Sequence, residues 1–222
     1  MDKKKIINEI RVFALMLLVV TSLRSALADW NDVPTGSMKP TIQEGDRVVV
    51  NKLAYDLKIP FTTYEIVKWG DPHRGDIVVL FSPEDGVRLV KRVIAIPGDT
   101  VELKDNVLFI NGKQQPHSDT GYPVDDPLQG RTYVMNEDLD GHEHKVMLSP
   151  YAMSEKSTYG PVKVPSGMYF VMGDNRDNSK DSRYIGLIPR TQIVGKALAV
   201  AFSLDRNHYY VPRFNRFFTG LH

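Results

Sequence analysis

The sequence predicts a mainly β protein: a coiled antiparallel sheet preceded by one N-terminal helix. Three observations carry this. A Gly-Asp pair followed by a β-branched run occurs three times, as Gly45-Asp46 before Arg47-Val48-Val49-Val50, Gly75-Asp76 before Ile77-Val78-Val79-Leu80, and Gly98-Asp99 before Thr100-Val101-Glu102-Leu103. Each reads as a turn leading into a strand. Outside the N-terminus no window sustains apolar residues at i, i+3, i+4 and i+7 for three turns. The N-terminus differs, with Lys3, Lys4, Lys5 and Arg11 followed by the apolar run 12–20. At 222 residues, 42% hydrophobic and 25% charged, the chain has material for one cored domain, or one domain carrying an insertion.

The N-terminal segment admits three readings. Twelve residues separate Arg11 from Arg24, about 18 Å of helix against a hydrocarbon core of about 30 Å. The basic start, short apolar run and Ala26-Leu27-Ala28 fit a cleavable secretory signal. An amphipathic surface helix is the second reading. The third extends the helix over residues 12–30, with Arg24 snorkelling to the headgroups and Trp30 as interfacial anchor. The early positive charge then places residues 1–11 in the cytoplasm and everything after residue 30 outside.

Further strands are expected at 108–110, 167–172 and 193–202. Between about 104 and 160 the composition turns acidic and Pro/Gly-punctuated, with Asp119, Asp125, Asp126, Asp138 and Asp140. Such a stretch between β-rich flanks reads as an inserted subdomain or a long decorated loop. The C-terminal Arg213-Phe214-Asn215-Arg216-Phe217-Phe218 mixes cations with aromatics, which suits a membrane interface or packing on the body.

Composition excludes several chemistries. With 28 Lys and Arg against 27 Asp and Glu the net charge is +1, without the basic footprint of a nucleic-acid binder. Zero cysteines removes disulfides, Cys-ligated zinc and a thiol nucleophile. No metal is implied. His142-Glu143-His144 reads as a solvated loop, and among Asp174, Asp177 and Asp181 the calcium-loop positions are broken by Arg176 and Ser179. No cofactor is implied either, since Gly-x-Gly-x-x-Gly and the P-loop are absent.

Serine chemistry has better support. The stretch from Val33 through Thr35, Gly36, Ser37, Met38 and Lys39 to Thr41 is dense in turn formers, although it is neither a G-x-S-x-G elbow nor an S-x-x-K motif. Alone it is an ordinary loop. In Leu89-Val90-Lys91-Arg92-Val93-Ile94 strand alternation prevents Lys91 and Arg92 from both facing water. Lys91 then snorkels, pairs with an acid, or is desolvated to a neutral amine. Lowering its pKa from about 10.4 to about 8 costs roughly 3 kcal/mol, within reach of burial, and a neutral amine can accept a serine proton. The third stretch, 172–186, is rich in Asp, Asn, Ser and Arg side chains that pin irregular backbone.

In order and sequence, Thr-Gly-Ser-Met-Lys-Pro-Thr at 35–41, Arg-Gly-Asp-Ile-Val-Val at 74–79, Val-Lys-Arg-Val-Ile-Ala-Ile-Pro-Gly-Asp at 90–99 and Gly-Asp-Asn-Arg-Asp-Asn-Ser-Lys-Asp-Ser-Arg at 173–183 resemble the four signature boxes of bacterial type I signal peptidases. The resemblance runs from about residue 12 to the C-terminus. It implies a membrane-anchored serine endopeptidase with a Ser–Lys dyad, which removes signal peptides from exported preproteins after Ala-x-Ala at the outer face of the cytoplasmic membrane. Its partners would be preprotein signal peptides and membrane lipid.

The resemblance also implies a coiled, mostly antiparallel core (31–103 and 161–222) with a β subdomain inserted at 104–160, and it favours an uncleaved transmembrane anchor at 12–30 after a cytoplasmic tail. Carried over residue by residue, Ser37 is the expected nucleophile and Lys91 its general base. Ser179 would orient the lysine amine. Thr35, where many relatives have serine, would form the oxyanion hole with the Ser37 N–H. Asp181 and Arg183 would be a supporting ion pair, and Val33, Met38, Ile42, Leu89 and Val90 would line the substrate pockets. Ala95 stands where the lysine box usually has glycine. A pilin-maturation peptidase of the same chemistry, a LexA-like self-cleaving protease and a non-catalytic anchored β domain are the alternatives. The LexA-like reading expects a DNA-binding segment and no anchor, and the paired serine and lysine boxes count against a domain that only binds.

Overall fold

The computed structural model describes residues 3–59, 62–126, 129–150, 154–206 and 208–221. Helix α1 (Lys3–Leu27) is followed by β1 (Ala28–Asp32) and β2 (Asp46–Asn51), then by the hairpin of β3 (Asp56–Lys58) and β4 (Glu65–Lys68). Next come β5 (Ile77–Phe81), β6 (Arg88–Ala95), β7 (Thr100–Lys104), β8 (Val107–Ile110) and β9 (Lys113–Gln114). A meander follows, β10 (His117–Asp126), β11 (Gly130–Leu139) and β12 (His142–Leu148), then β13 (Tyr159–Lys163) and β14 (Met168–Met172). The single-turn helix α2 (Ser182–Ile185), β15 (Ile188–Pro189), the long β16 (Ile193–Asp205), β17 (Val211–Pro212) and β18 (Thr219–Gly220) complete the chain.

The main sheet runs β1-β2-β16-β5-β6-β14-β15, with β17 and β18 also on β16. All its pairings are antiparallel. It curls because β16 changes register at Ile193/Gly195, Ala197/Ala199 and Val200/Phe202, and each such bulge bends the strand and adds twist. All three Gly-Asp turns appear as expected: Gly45, Gly75 and Gly98 sit at φ 87°, 87° and 96°, the left-handed region glycine enters without a Cβ penalty. β7, β8, β9 and β13 make a second sheet, and β10-β11-β12 a third.

Apolar side chains form three clusters. One joins Ile94, Phe170 and Met172 of the main sheet to Val101, Leu103 and Leu108 of the second. Another packs Val33, Met38 and Ile42 on Val48, Ile77 and Val200. The third gathers Tyr55, Val78, Leu80, Val93 and Val171. β5 is buried at Ile77, Val78, Val79 and Leu80, as a strand covered on both faces must be.

The N-terminal expectation needs correction at its outer end. α1 stops at Leu27, and Trp30 lies in β1 opposite Val49. The local reason is composition: Asp29, Asn31 and Asp32 are poor helix formers, and an extended chain there pairs with a valine-rich strand. Among the described residues no helix is long and apolar enough to cross a membrane, consistent with an apolar run of about three turns broken by Arg24. The side chains of Lys3, Lys4, Lys5, Arg24, Ala26, Leu27 and Ala28 lie outside the described part. At the other end the cations turn inward. Arg216 donates to both oxygens of buried Asp46, at 3.1 Å from Nε and 2.6 Å from Nη2, while Phe214 and Phe218 remain exposed.

Candidate active site

Ser37 lies in the loop between β1 and β2. The loop closes on itself where Val33 N–H donates to Asp46 O and Gly45 N–H to Val33 O, both at 3.0 Å, and Ile42 N–H donates to Met38 O at 2.9 Å. Burial of Val33, Met38 and Ile42 pins its inner side, so the half-buried Ser37 is presented from a fixed backbone.

Lys91 comes from the middle of β6, opposite the fully buried Val78. Its Nζ donates to Ser37 Oγ at 2.7 Å and to Val90 O at 3.0 Å. The side chain is 2% exposed, and burial pushes its pKa down to about 8, against the weaker opposing pull of Asp181 and Asp174 and with a small contribution from Arg183. Desolvation penalises the ammonium, and the two aspartates, neither bonded to it, offset that only in part. A base with such a pKa is partly neutral near pH 7, and its proton acceptor site already faces the serine hydroxyl.

Arg92, next on the strand, is buried as well. Its Nε and Nη2 donate to Asp174 Oδ1 and Oδ2 at 2.9 and 2.8 Å, and its Nη1 to Gly75 O at 2.8 Å. Thr41 Oγ1 donates to the same carboxylate at 2.6 Å. This fork ties the 173–181 loop to β6 and to the far end of the Ser37 loop. Asn175 ties it again: its backbone N–H donates to Ser37 O, and its Nδ2 donates to Gly36 O at 3.1 Å.

Asp181 and Arg183 form the expected pair, bidentate at 2.9 Å for both bonds and fully buried. The pair reaches further than expected. Asp181 accepts from Gly173 N–H at 3.1 Å, Arg183 Nη2 donates to Arg176 O at 2.6 Å, and Asp181 caps α2. Ser179 is brought to the site without completing it. Its Oγ is buried and, among the described residues, has no hydrogen-bond partner, Lys91 included. Gly173 lets it come this close, since a Cβ there would collide with both Ser179 Oγ and Ser37 O. Thr35 is exposed, two residues before Ser37.

Of the remaining expected residues, Val33, Met38 and Ile42 share one apolar cluster with Val90 at its margin. Leu89, one residue earlier on the alternating strand, packs with Tyr55, Val78 and Leu80 instead. Ala95 is buried.

Sequence reasoning passed over two features. Arg92 was one half of an adjacent pair whose partner, Asp174, lies far along the chain. The second feature corrects the solvated-loop reading of 142–144. These residues begin β12, and His144 is buried with its Nε2 3.4 Å from Glu137 Oε2. Glu137 also receives both Nη atoms of Arg176, which is 1% exposed. The clue was the alternation of β11, which places Glu137 on the same face as the buried Leu139. Among the described residues no group of three or more His, Cys, Asp or Glu is gathered as a metal site.

Comparisons with known proteins identify the family. The family model described as signal peptidase, peptidase S26, matches residues 6–202. Signal peptidase I of Pseudomonas fluorescens is 39% identical over 217 residues, covering 90% of this chain and 74% of the relative. Signal peptidase I P of Bacillus subtilis subsp. natto is 38% identical over 205 residues, covering 92% and 93%. The Pseudomonas aeruginosa signal peptidase I is 37% identical, covering 90% and 74%. With serine and lysine boxes that meet in space and a family match spanning most of its length, the chain belongs to the signal peptidase family, peptidase S26.

Proposed function

We propose that Ser37 and Lys91 perform the peptide-bond hydrolysis of this enzyme, a serine endopeptidase that removes signal peptides. The observation that carries the proposal is the 2.7 Å bond from the buried amine to Ser37 Oγ. In its neutral form Lys91 takes the hydroxyl proton as Oγ attacks the scissile carbonyl carbon. The oxyanion is held by the Ser37 N–H and the Thr35 hydroxyl. Collapse of the tetrahedral intermediate breaks the C–N bond, and the Lys91 ammonium returns its proton to the leaving amine. Water, deprotonated by the same lysine, then attacks the acyl carbon; the ester bond to Ser37 breaks, Oγ regains the proton from the Lys91 ammonium, and the signal peptide leaves as its carboxylate. Ser179 would bond the amine after rotation of its hydroxyl, and Asp181 with Arg183 fixes the loop that carries it.

Specificity for Ala-x-Ala is attributed to the apolar cluster of Val33, Met38, Ile42 and Val90 beside Ser37. The aliphatic side chains of this cluster would favour small apolar residues. Leu89, packed with Tyr55 and Val78, is left out of this surface. Residues 31–103 and 161–222 would form the catalytic core and 104–160 the insertion.

The same reading holds the enzyme at the cytoplasmic membrane through the apolar surface of α1. Phe13, Leu15, Met16, Leu17 and Val20 on α1 are each more than half exposed, a surface that lipid would cover. Loss of residues 1–27 should then release the body from membranes in a flotation assay; an unchanged distribution counts against the anchor.

The catalytic reading is tested by cleavage of a preprotein ending its signal in Ala-x-Ala. Ser37→Ala abolishes turnover in a folded protein. Thr35→Val, which keeps the branched shape and loses the hydroxyl, lowers kcat by about 10²–10³-fold with little change in KM. Full activity in Ser37→Ala refutes the nucleophile; full activity in Thr35→Val refutes only the oxyanion role.

A further inference from the structure

Glu137 lies on β11 of the meander, outside every stretch that resembled a signature box, yet it ends a continuous chain of contacts to the nucleophile. Arg176 places both Nη atoms on its carboxylate, at 2.8 Å for the Nη1–Oε1 bond. The flanking backbone is bonded to the same subdomain: Arg176 N–H donates to Met147 O at 3.0 Å, and Met147 N–H donates to Asp174 O at 2.8 Å. Between these two clamped residues sits Asn175, whose two bonds hold the carbonyls of Gly36 and Ser37. From the other side Arg183 holds the Arg176 carbonyl.

We propose that Glu137 is a positioning residue for the hydrolytic reaction, acting through Arg176 and Asn175 to hold the Ser37 loop against Lys91. The proposal rests on the Ser37–Lys91 reading. An apolar pair could fill the Glu137–Arg176 space with equal or better stability, because burying two charges costs about what their attraction returns. A bidentate fork does something packing does not: it fixes both distance and angle. Three elements meet at the carboxylate, each with its own charged or titratable group. Arg176 comes from the loop after β14 and His144 from β12, while His117, the β10 partner of Glu137 in the register, is exposed. The Arg176 charge holds the Glu137 carboxyl down at about 2, against burial, so the anchor keeps its charge wherever the enzyme works.

Removing that charge has a second consequence. Asp174 and Asp181 attract both Arg176 and Lys91. An Arg176 deprived of Glu137 leans on those two aspartates, which then support the Lys91 ammonium less.

The test is Glu137→Gln in the full chain, with kcat, KM and the pH profile of kcat measured on a preprotein. The expected result is a kcat lower by about 10–100-fold, the scale of a sub-ångström to 1 Å misplacement. KM stays within about twofold and the acid limb moves to lower pH. A kcat within about twofold of the parent, or a loss whose acid limb stays in place, overturns the proposal, because a merely structural residue changes the folded fraction and not the profile. Should the single variant fail to fold, Glu137→Gln with Arg176→Gln, which leaves no lone buried charge, is read by the kcat criterion alone. Lys91→Ala, run in parallel, separates the two levels: if it is active, the dyad itself is wrong. If it is inactive while Glu137→Gln matches the parent, only the positioning role falls.

Discussion

Lys91 and Arg92 are neighbours on one strand, both all but fully buried, and their charges meet opposite fates. Arg92 is given a carboxylate in bidentate geometry, a backbone carbonyl and, through Asp174, a threonine hydroxyl. Lys91 is given two neutral oxygens. The difference follows from the head groups. A guanidinium does not lose its proton in the range where proteins fold, so burying one demands an acid partner. An ammonium can be left short of partners, and its pKa then falls until the neutral amine comes within reach of working pH. Alternation of side chains lets one strand carry both solutions, the structural cation on one face and the reactive one on the other.

The sharpest way to break this contrast is to make the two residues alike. Lys91→Arg places a permanent cation against Ser37 and should remove activity by about 10⁴-fold or more, measured as preprotein turnover by protein that still folds. Wild-type activity rises with pH through about 8, where Lys91 becomes neutral, and that limb is absent from any residual Lys91→Arg activity.

The reciprocal change leaves Arg92 as isolated as Lys91. Asp174→Asn strands a buried guanidinium and should cost about 3–5 kcal/mol in denaturant unfolding. The catalytic loss per folded molecule should be smaller than that of Lys91→Arg. Equal stability to the parent would mean that the Arg92 pair is not what ties the loop to the sheet.

The gentlest probe reads the price of the desolvated amine. The folded-state pKa of Lys91, about 8, lies below its ordinary 10.5. Between these values the unfolded chain binds more protons, so this residue makes stability rise with pH across that window. Below about pH 8 it costs the fold about 3 kcal/mol. Lys91→Met should therefore be more stable than the parent at pH 7, by up to that amount, and the gap should close as pH approaches 10.5. A gap independent of pH would show that the amine is charged in the folded state.

Much of this was legible because it is local. The three Gly-Asp turns state their own backbone requirement, and the strands after them follow from β-branched runs. The adjacency of Lys91 and Arg92 announces that both cannot face water, so that one is buried or at a rim. What the chain does not announce is who answers that cation: Asp174 and Glu137 lie in polar, acidic stretches where any one carboxylate looks like its neighbours. Ser179 lies across Gly173 from the Ser37 carbonyl and yet, among the described residues, lacks the expected bond to Lys91, since a hydroxyl's rotamer is set by tertiary surroundings. At Trp30 the preference for a continued helix lost to strand pairing with β2, a contact with a segment about twenty residues away.

Gly173 marks where the whole arrangement has no slack. The space at its α-carbon is claimed from one side by the peptide of the nucleophile and from the other by the hydroxyl of Ser179. Only a hydrogen atom fits. Two loops that arrive from distant parts of the chain thus leave no room between them at an atom that carries no charge and makes no polar contact. Its identity is fixed by volume alone, and one added methyl group would act as a wedge, separating nucleophile from loop while leaving every titratable group of the site chemically intact.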